Sequence, residues 1–130
     1  MATEILINDG GAPARILPFT AAEDVTAGNL LAVDTNGKVI NANSGDTGYD
    51  FAGIGFALTT ITSGNIVSVI TGHGVVLNIN AADVGAGVAL MMGTTDGRML
   101  TADNGAGSPM TQAVTLENNS AAGLTKCITV

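Results

Sequence analysis

Between Val75 and Asn80 the chain alternates, with Val75, Leu77 and Ile79 on one side of an extended segment and Asn78 and Asn80 on the other. That period of two is the mark of a strand with one buried face. Short apolar runs broken by turn residues continue through most of the chain after Thr20. They predict strands over 29–34 and 38–42 about Asn36-Gly37, over 51–60 and 65–71 about Thr62-Ser63-Gly64, and over 75–80. Further strands follow over 88–92 and 98–102 about Asp96-Gly97, and over 111–116 and 124–130, with a polar loop over 43–50. A period of 3.6 never persists, and at most Ala81-Ala82-Asp83 holds one short helical turn. The predicted fold is all-β: a compact β-barrel or β-tulip-like domain of short strands.

One stretch of this pattern is written twice. Asp24-Val25-Thr26-Ala27-Gly28, an apolar run through Leu31, then Asn36-Gly37-Lys38-Val39-Ile40 and Ala42 return as Asp83-Val84-Gly85-Ala86-Gly87, a run through Leu90, then Asp96-Gly97-Arg98-Met99-Leu100 and Ala102. With one residue inserted, eight of twenty aligned pairs from Asp24 to Asn43 are identical. The turn glycines Gly37 and Gly97 recur where a type I′ hairpin needs positive φ. Two copies are too few for a solenoid, so the domain, residues 20–130, is read as two related β-units at about 24–80 and 83–130.

Residues 1–19 read differently. The apolar triplet Ile5-Leu6-Ile7 is followed by Gly10, Gly11, Pro13 and Pro18, which favour an extended, hinged segment over a central strand. The segment is expected to be an N-terminal arm, mobile when free. Glu4, Ile5, Leu6 and Ile7, with Arg15, would attach it to a partner's exposed strand edge.

Composition narrows the function. Aromatic residues make up 3% of the chain while 46% is hydrophobic, so the core is aliphatic and gains less area per residue, a shortfall that self-association often meets. Four basic residues against eleven acidic ones give a net charge of −7, which repels a phosphate backbone and argues against a nucleic-acid partner. The apolar runs are too short to span a membrane, and no secretory signal is evident at the N-terminus. The eighteen glycines fall between apolar runs as turn punctuation.

Candidate chemistry is sparse. His73 lies between two glycines and reads as a turn residue, since a general base needs a nucleophile, an orienting group and a pocket. His73 and Cys127 are too few for a zinc site. The segment 46–50 lacks the alternating carboxylates of a calcium loop, and Asp24 and Asp83 read as acceptors for turn N–H groups. No catalytic site, cofactor or metal is expected. Met91 and Met92, bulkier and softer than Ala32 and Val33 at the matching places, fill the core or face another subunit.

The order of segments resembles the capsid cement or decoration proteins of tailed phages. The likeness lies in Val25-Thr26-Ala27-Gly28-Asn29-Leu30-Leu31, in Gly64-Asn65-Ile66-Val67-Ser68-Val69 leading to Gly74-Val75-Val76-Leu77, and in Val84-Gly85-Ala86-Gly87-Val88-Ala89-Leu90. It continues through Asp96-Gly97-Arg98-Met99-Leu100-Thr101 to Gln112-Ala113-Val114, spanning about residues 20–130. The resemblance implies a non-enzymatic virion protein, made in the host cytoplasm. It implies a homotrimer at local three-fold positions on the outer capsid surface, with the major capsid protein as partner. A receptor- or sugar-binding module of a phage fibre or adhesin is the alternative, disfavoured by the scarcity of aromatic stacking platforms.

Overall fold

The computed structural model describes residues 5–8, 15–43, 53–93, 95–101 and 112–130. Among them are eleven strands and no helix. The first six are β1 (Leu6–Asn8), β2 (Arg15–Thr20), β3 (Leu30–Val33), β4 (Val39–Asn41), β5 (Gly53–Ala57) and β6 (Ile66–Thr71). The rest are β7 (Val76–Ala81), β8 (Ala89–Met92), β9 (Met99–Thr101), β10 (Ala113–Thr115) and β11 (Gly123–Thr129). One sheet runs β2-β6-β5-β3-β4 and the other β1-β7-β11-β10-β8-β9. With β1 set aside, the two orders are the same, shifted by five strands.

The likeness extends to how each sheet closes. Ala21 bridges Val39 in parallel and Ala22 N–H donates to Val39 O at 2.9 Å. Ala81 pairs with Met99 in parallel and Ala82 N–H donates to Met99 O, also at 2.9 Å. Each half thereby rolls into a ring of five strands closed at the C-terminal ends of β2 and β7, and the rest of β7's edge takes β1. The repeat spans about 15–71 and 76–130, each copy starting earlier than the units at 24–80 and 83–130 expected from the sequence.

Within each ring two turns clasp one another. Val25 and Ile61 exchange N–H···O bonds of 2.9 and 3.0 Å, and Val84 and Asn119 exchange bonds of 3.1 and 2.9 Å. Val25-Thr26-Ala27-Gly28-Asn29-Leu30 and Ile61-Thr62-Ser63-Gly64-Asn65-Ile66 are one turn used twice. Gly28 and Gly64 take φ of 90° and 89°, and the Asn29 and Asn65 N–H groups donate to the oxygens of Thr26 and Thr62.

The core explains why the strand pattern is only partly alternating. Leu31, Val39, Ala57, Val67 and Val69 fill the first ring. Leu30, Ala32, Phe56 and Ile70, from the opposite faces of the same strands, join Leu77, Ile79, Leu90, Met99 and Cys127 in one continuous cluster. β3 is thus buried on both sides and reads as an unbroken apolar run. Each of Leu30 and Leu31 contributes about 1.5–3 kcal/mol by leaving water.

Two expectations are corrected. Residues 1–19 are no detached arm: β2 pairs along its full length with β6, and β1 pairs with β7, Leu6 facing Leu77. Ile5 is 5% exposed and its carbonyl accepts the Asn78 N–H at 2.8 Å, so its apolar side chain finds burial on its own domain. Ala81-Ala82-Asp83 holds no helical turn, within the expectation of at most one: Ala81 ends β7, and the N–H groups of Ala82 and Val84 donate to Met99 O and Asn119 O. The hairpin turns are not type I′, which requires two residues at positive φ. Only Gly37 (78°) and Gly97 (69°) have it, and no non-glycine does among the described residues. Asp34 N–H bonds to Lys38 O at 2.7 Å and Gly37 N–H to Asp34 O at 3.1 Å, the three-residue loop closed by a glycine bulge.

Candidate functional site

Where the rings meet, backbone and side chains form a polar seam. Asn80 N–H donates to Gly28 O, Leu30 N–H to Gly97 O and Gly97 N–H to Ala42 O, each at 2.9 Å. Beside them runs a directed chain of side chains. Arg98 Nε donates to Asn80 Oδ1 (3.2 Å), Asn80 Nδ2 to Asn29 Oδ1 (2.9 Å) and Asn29 Nδ2 to Asn41 Oδ1 (2.9 Å). Asn41 Nδ2 donates in turn to Glu23 Oε2 (2.6 Å) and to Asp24 O (2.9 Å). A cation stands at the donor end and a carboxylate at the acceptor end, so each amide polarises the next in the same sense. Asn29 and Asn41 are buried, and such bonds contribute about 0.5–1.5 kcal/mol each while costing more if broken. Asn43 Nδ2 adds a bond to Asp96 Oδ1 at 2.7 Å. This arrangement fixes one ring against the other, and it presents no nucleophile.

A concavity of about 490 Å³ opens at the Gly72-His73-Gly74 link between the rings. Arg15, Phe56, Ile70, His73, Leu77 and Gln112 are among its walls, and its described lining carries no carboxylate or thiol. In this lining the His73 imidazole is a proton acceptor, but no side-chain carboxylate orients it as a general base requires. Among the described residues no group of three or more His, Cys, Asp or Glu could hold a metal.

The residues singled out from the sequence fall as follows. Gly37 and Gly97 sit at the hairpin turns as expected. Arg15 is exposed at the start of β2; Ile5 is buried, Leu6 is half-buried and Ile7 lies within β1. Glu4 and the 46–50 segment lie outside the described residues. Met91 and Met92 are 5% and 4% exposed, which leaves no surface for another subunit; they fill the core, as the larger partners of Ala32 and Val33. Asp24 Oδ1 accepts the Ser63 N–H at 2.8 Å, a turn acceptor. Cys127 is buried, and burial, with the negative charge of Glu117 adding to it, pushes its thiol up to about 12, so the sulfur stays protonated and unreactive. His73 is exposed in the link. The asparagine chain was not singled out from the sequence, although the shared Gly-Asn after Val25-Thr26 and Ile61-Thr62 was a visible signal.

No family model matches the chain, and no curated protein does. Among solved structures it is similar to the head fiber gp8.5 N base of bacteriophage phi29. The TM-score is 0.64 at 17% identity, covering 91% of this chain and 95% of that one. The likeness is one of fold, and at that coverage it runs across both rings.

Proposed function

We propose that this chain is a structural protein of a tailed-phage head, which attaches to the outer surface of the capsid as a homotrimer at local three-fold positions and stabilises the shell. The observation that carries this reading is the whole-length likeness of its two-ring fold to the base of a phage head fiber; the sequence resemblance to cement and decoration proteins points the same way. The chemistry agrees with a holding role. A net charge of −7 keeps the chain off packaged nucleic acid, and the seam serves rigidity. A trimer presents three copies of one modest contact to the major capsid protein, and once the first engages, the others act at high effective concentration.

The test is co-sedimentation of the purified chain with capsids lacking it, with antibody labelling of intact particles and heat release of their DNA as readouts. Saturable binding, surface labelling and a raised release temperature are expected. Particles that neither bind the chain nor carry it when purified from infection would overturn the proposal, and binding to host cells in place of capsids would point to the receptor-binding alternative.

A further inference from the structure

The seam between the rings is used once inside the chain, and its two half-sites occur again unused. In the seam, the 25–30 turn of the first ring lies on β7 and β11 of the second. Gly28 O accepts the Asn80 N–H, and a Cβ built on Gly28 would stand 2.5 Å from Leu124 Cδ2 and 3.3 Å from Asn78 O. Gly28 and Asn29 are buried by this contact. The matching receiving surface on the first ring is Pro18, Thr20 and Ile66, because Thr20 faces Ile66 across β2–β6 as Asn80 faces Leu124 across β7–β11. The matching turn on the second ring is Gly85-Ala86-Gly87-Val88.

Both are bare. Gly85, Ala86 and Gly87 are exposed, and of the described residues none comes within 4 Å of a Cβ built on Gly87. Ile66 is 58% exposed and Ile16, farther along β2 where it faces Ile70, 47%, while Pro18 is exposed where its counterpart Asn78 is buried. The other arm of the seam repeats the relation. The Gly97 turn abuts Asn29 and bonds to Leu30, yet no described residue comes within 4 Å of a Cβ on Gly37.

We infer that a second copy of this chain docks head-to-tail, laying its 84–89 turn on the outer side of β2 and β6. Two lobes of one fold leave, at the two ends of the chain's single seam, one donor surface and one acceptor surface that fit each other as the internal pair does. The second ring already engages the first through the 25–30 turn and the buried Leu30, Phe56 and Ile70, so the surface must be filled by another molecule. In that contact Thr20 N–H replaces Asn80 N–H as donor to Gly87 O. Val88 stands where Asn29 does and Thr20 where Asn80 does, so the amide pair of the seam is absent. Burial of Pro18 and Ile66 against Ala86 and Val88 drives association in its place. A heterologous contact of this kind closes into a ring or runs on as a filament. The contact follows from the repeat alone; closure at three copies, six similar lobes around one axis, rests on the proposed phage-head reading.

The test uses the isolated full-length chain, so capsid binding does not enter. At micromolar concentration, sedimentation equilibrium should give an oligomer, and Ile66→Asp should lower its mass to the 12.9 kDa of one chain with an unchanged circular dichroism spectrum. As a second readout, Ala86→Cys with Ile66→Cys, on a Cys127→Ser background, should give an intermolecular disulfide ladder on oxidation, whereas each cysteine alone should not link, because like surfaces never meet. A monomeric parent chain, an oligomer indifferent to Ile66→Asp, or a double variant that stays unlinked would each overturn the inference. A trimer count in the ladder supports closure, and a different count would overturn the three-copy closure while leaving the contact standing.

Discussion

Gly37 and Gly97 occupy the same place in the two copies of one hairpin, at φ of 78° and 69°, and replacing each by alanine separates two costs that are usually confounded. Both variants force a β-carbon into the left-handed region, at about 1–2 kcal/mol. Around Gly37 no described residue lies within 4 Å of the new atom, whereas at Gly97 it would overlap Asn29, with Cβ and Nδ2 both at 2.5 Å. Asn29 cannot yield freely, since its amide holds Asn41 on one side and Asn80 on the other. Losing those two bonds, with Asn41 buried and Asn80 half-buried, adds about 2–4 kcal/mol. Gly97→Ala is therefore expected to cost about 3–6 kcal/mol and Gly37→Ala about 1–2 kcal/mol. Urea unfolding in an Ile66→Asp background, which removes self-association, measures both. Equal losses at the two sites would refute the claim that the seam depends on close approach of the Gly97 turn to Asn29.

Ile5→Ala should destabilise the isolated domain by about 2–4 kcal/mol, and removal of residues 1–8 should lower the thermal melt, because Ile5 is buried in the main cluster; a melt unchanged by either would mean that β1 does not hold to β7. Cys127 should resist alkylation in the native state and react within seconds in denaturant. With its folded value raised from 9.0 to about 12, its contribution to stability is intact below about pH 9 and lost as pH rises towards 12. Urea midpoints across that range should fall less steeply in Cys127→Val, and identical slopes would refute the assignment.

Strand positions were legible because the glycines that end them are forced by backbone geometry. The expected segments 29–34, 38–42, 65–71 and 88–92 each contain the observed strand with at most a residue or two to spare at either end. The N-terminal strands were misread for a physical reason as well. Pro18 and the glycines before it weaken a strand judged alone, but β2 needs no donor at Pro18, whose nitrogen faces away from β6. The full extent of the duplication was hidden because β5, β6, β10 and β11 share a fold position without sharing side chains: Val67 and Val69 line one ring where Thr125 and Cys127 line the other. The amide chain joins residues as far as 51 positions apart, and no local pattern announces such a partner. The two readings of Met91 and Met92 stayed open in the sequence because softness suits a core gap as well as an interface, and their burial favours the core.

Pro18 stands where Asn78 stands in the other ring, and Asn78 is the residue whose N–H receives β1 through Ile5 O. A duplicated protein sets a sorting problem for its own free segment, since β1 meets two near-identical strand edges and the nearer in sequence is the wrong one. An imino acid at that single place takes away the donor that the mispaired state would require, so the incorrect edge is silent before any packing has formed. Restoring it with Pro18→Asn would give the nascent chain two competing destinations, and the slow refolding phase and swapped dimers that follow such ambiguity would appear in a protein whose native contacts had barely changed.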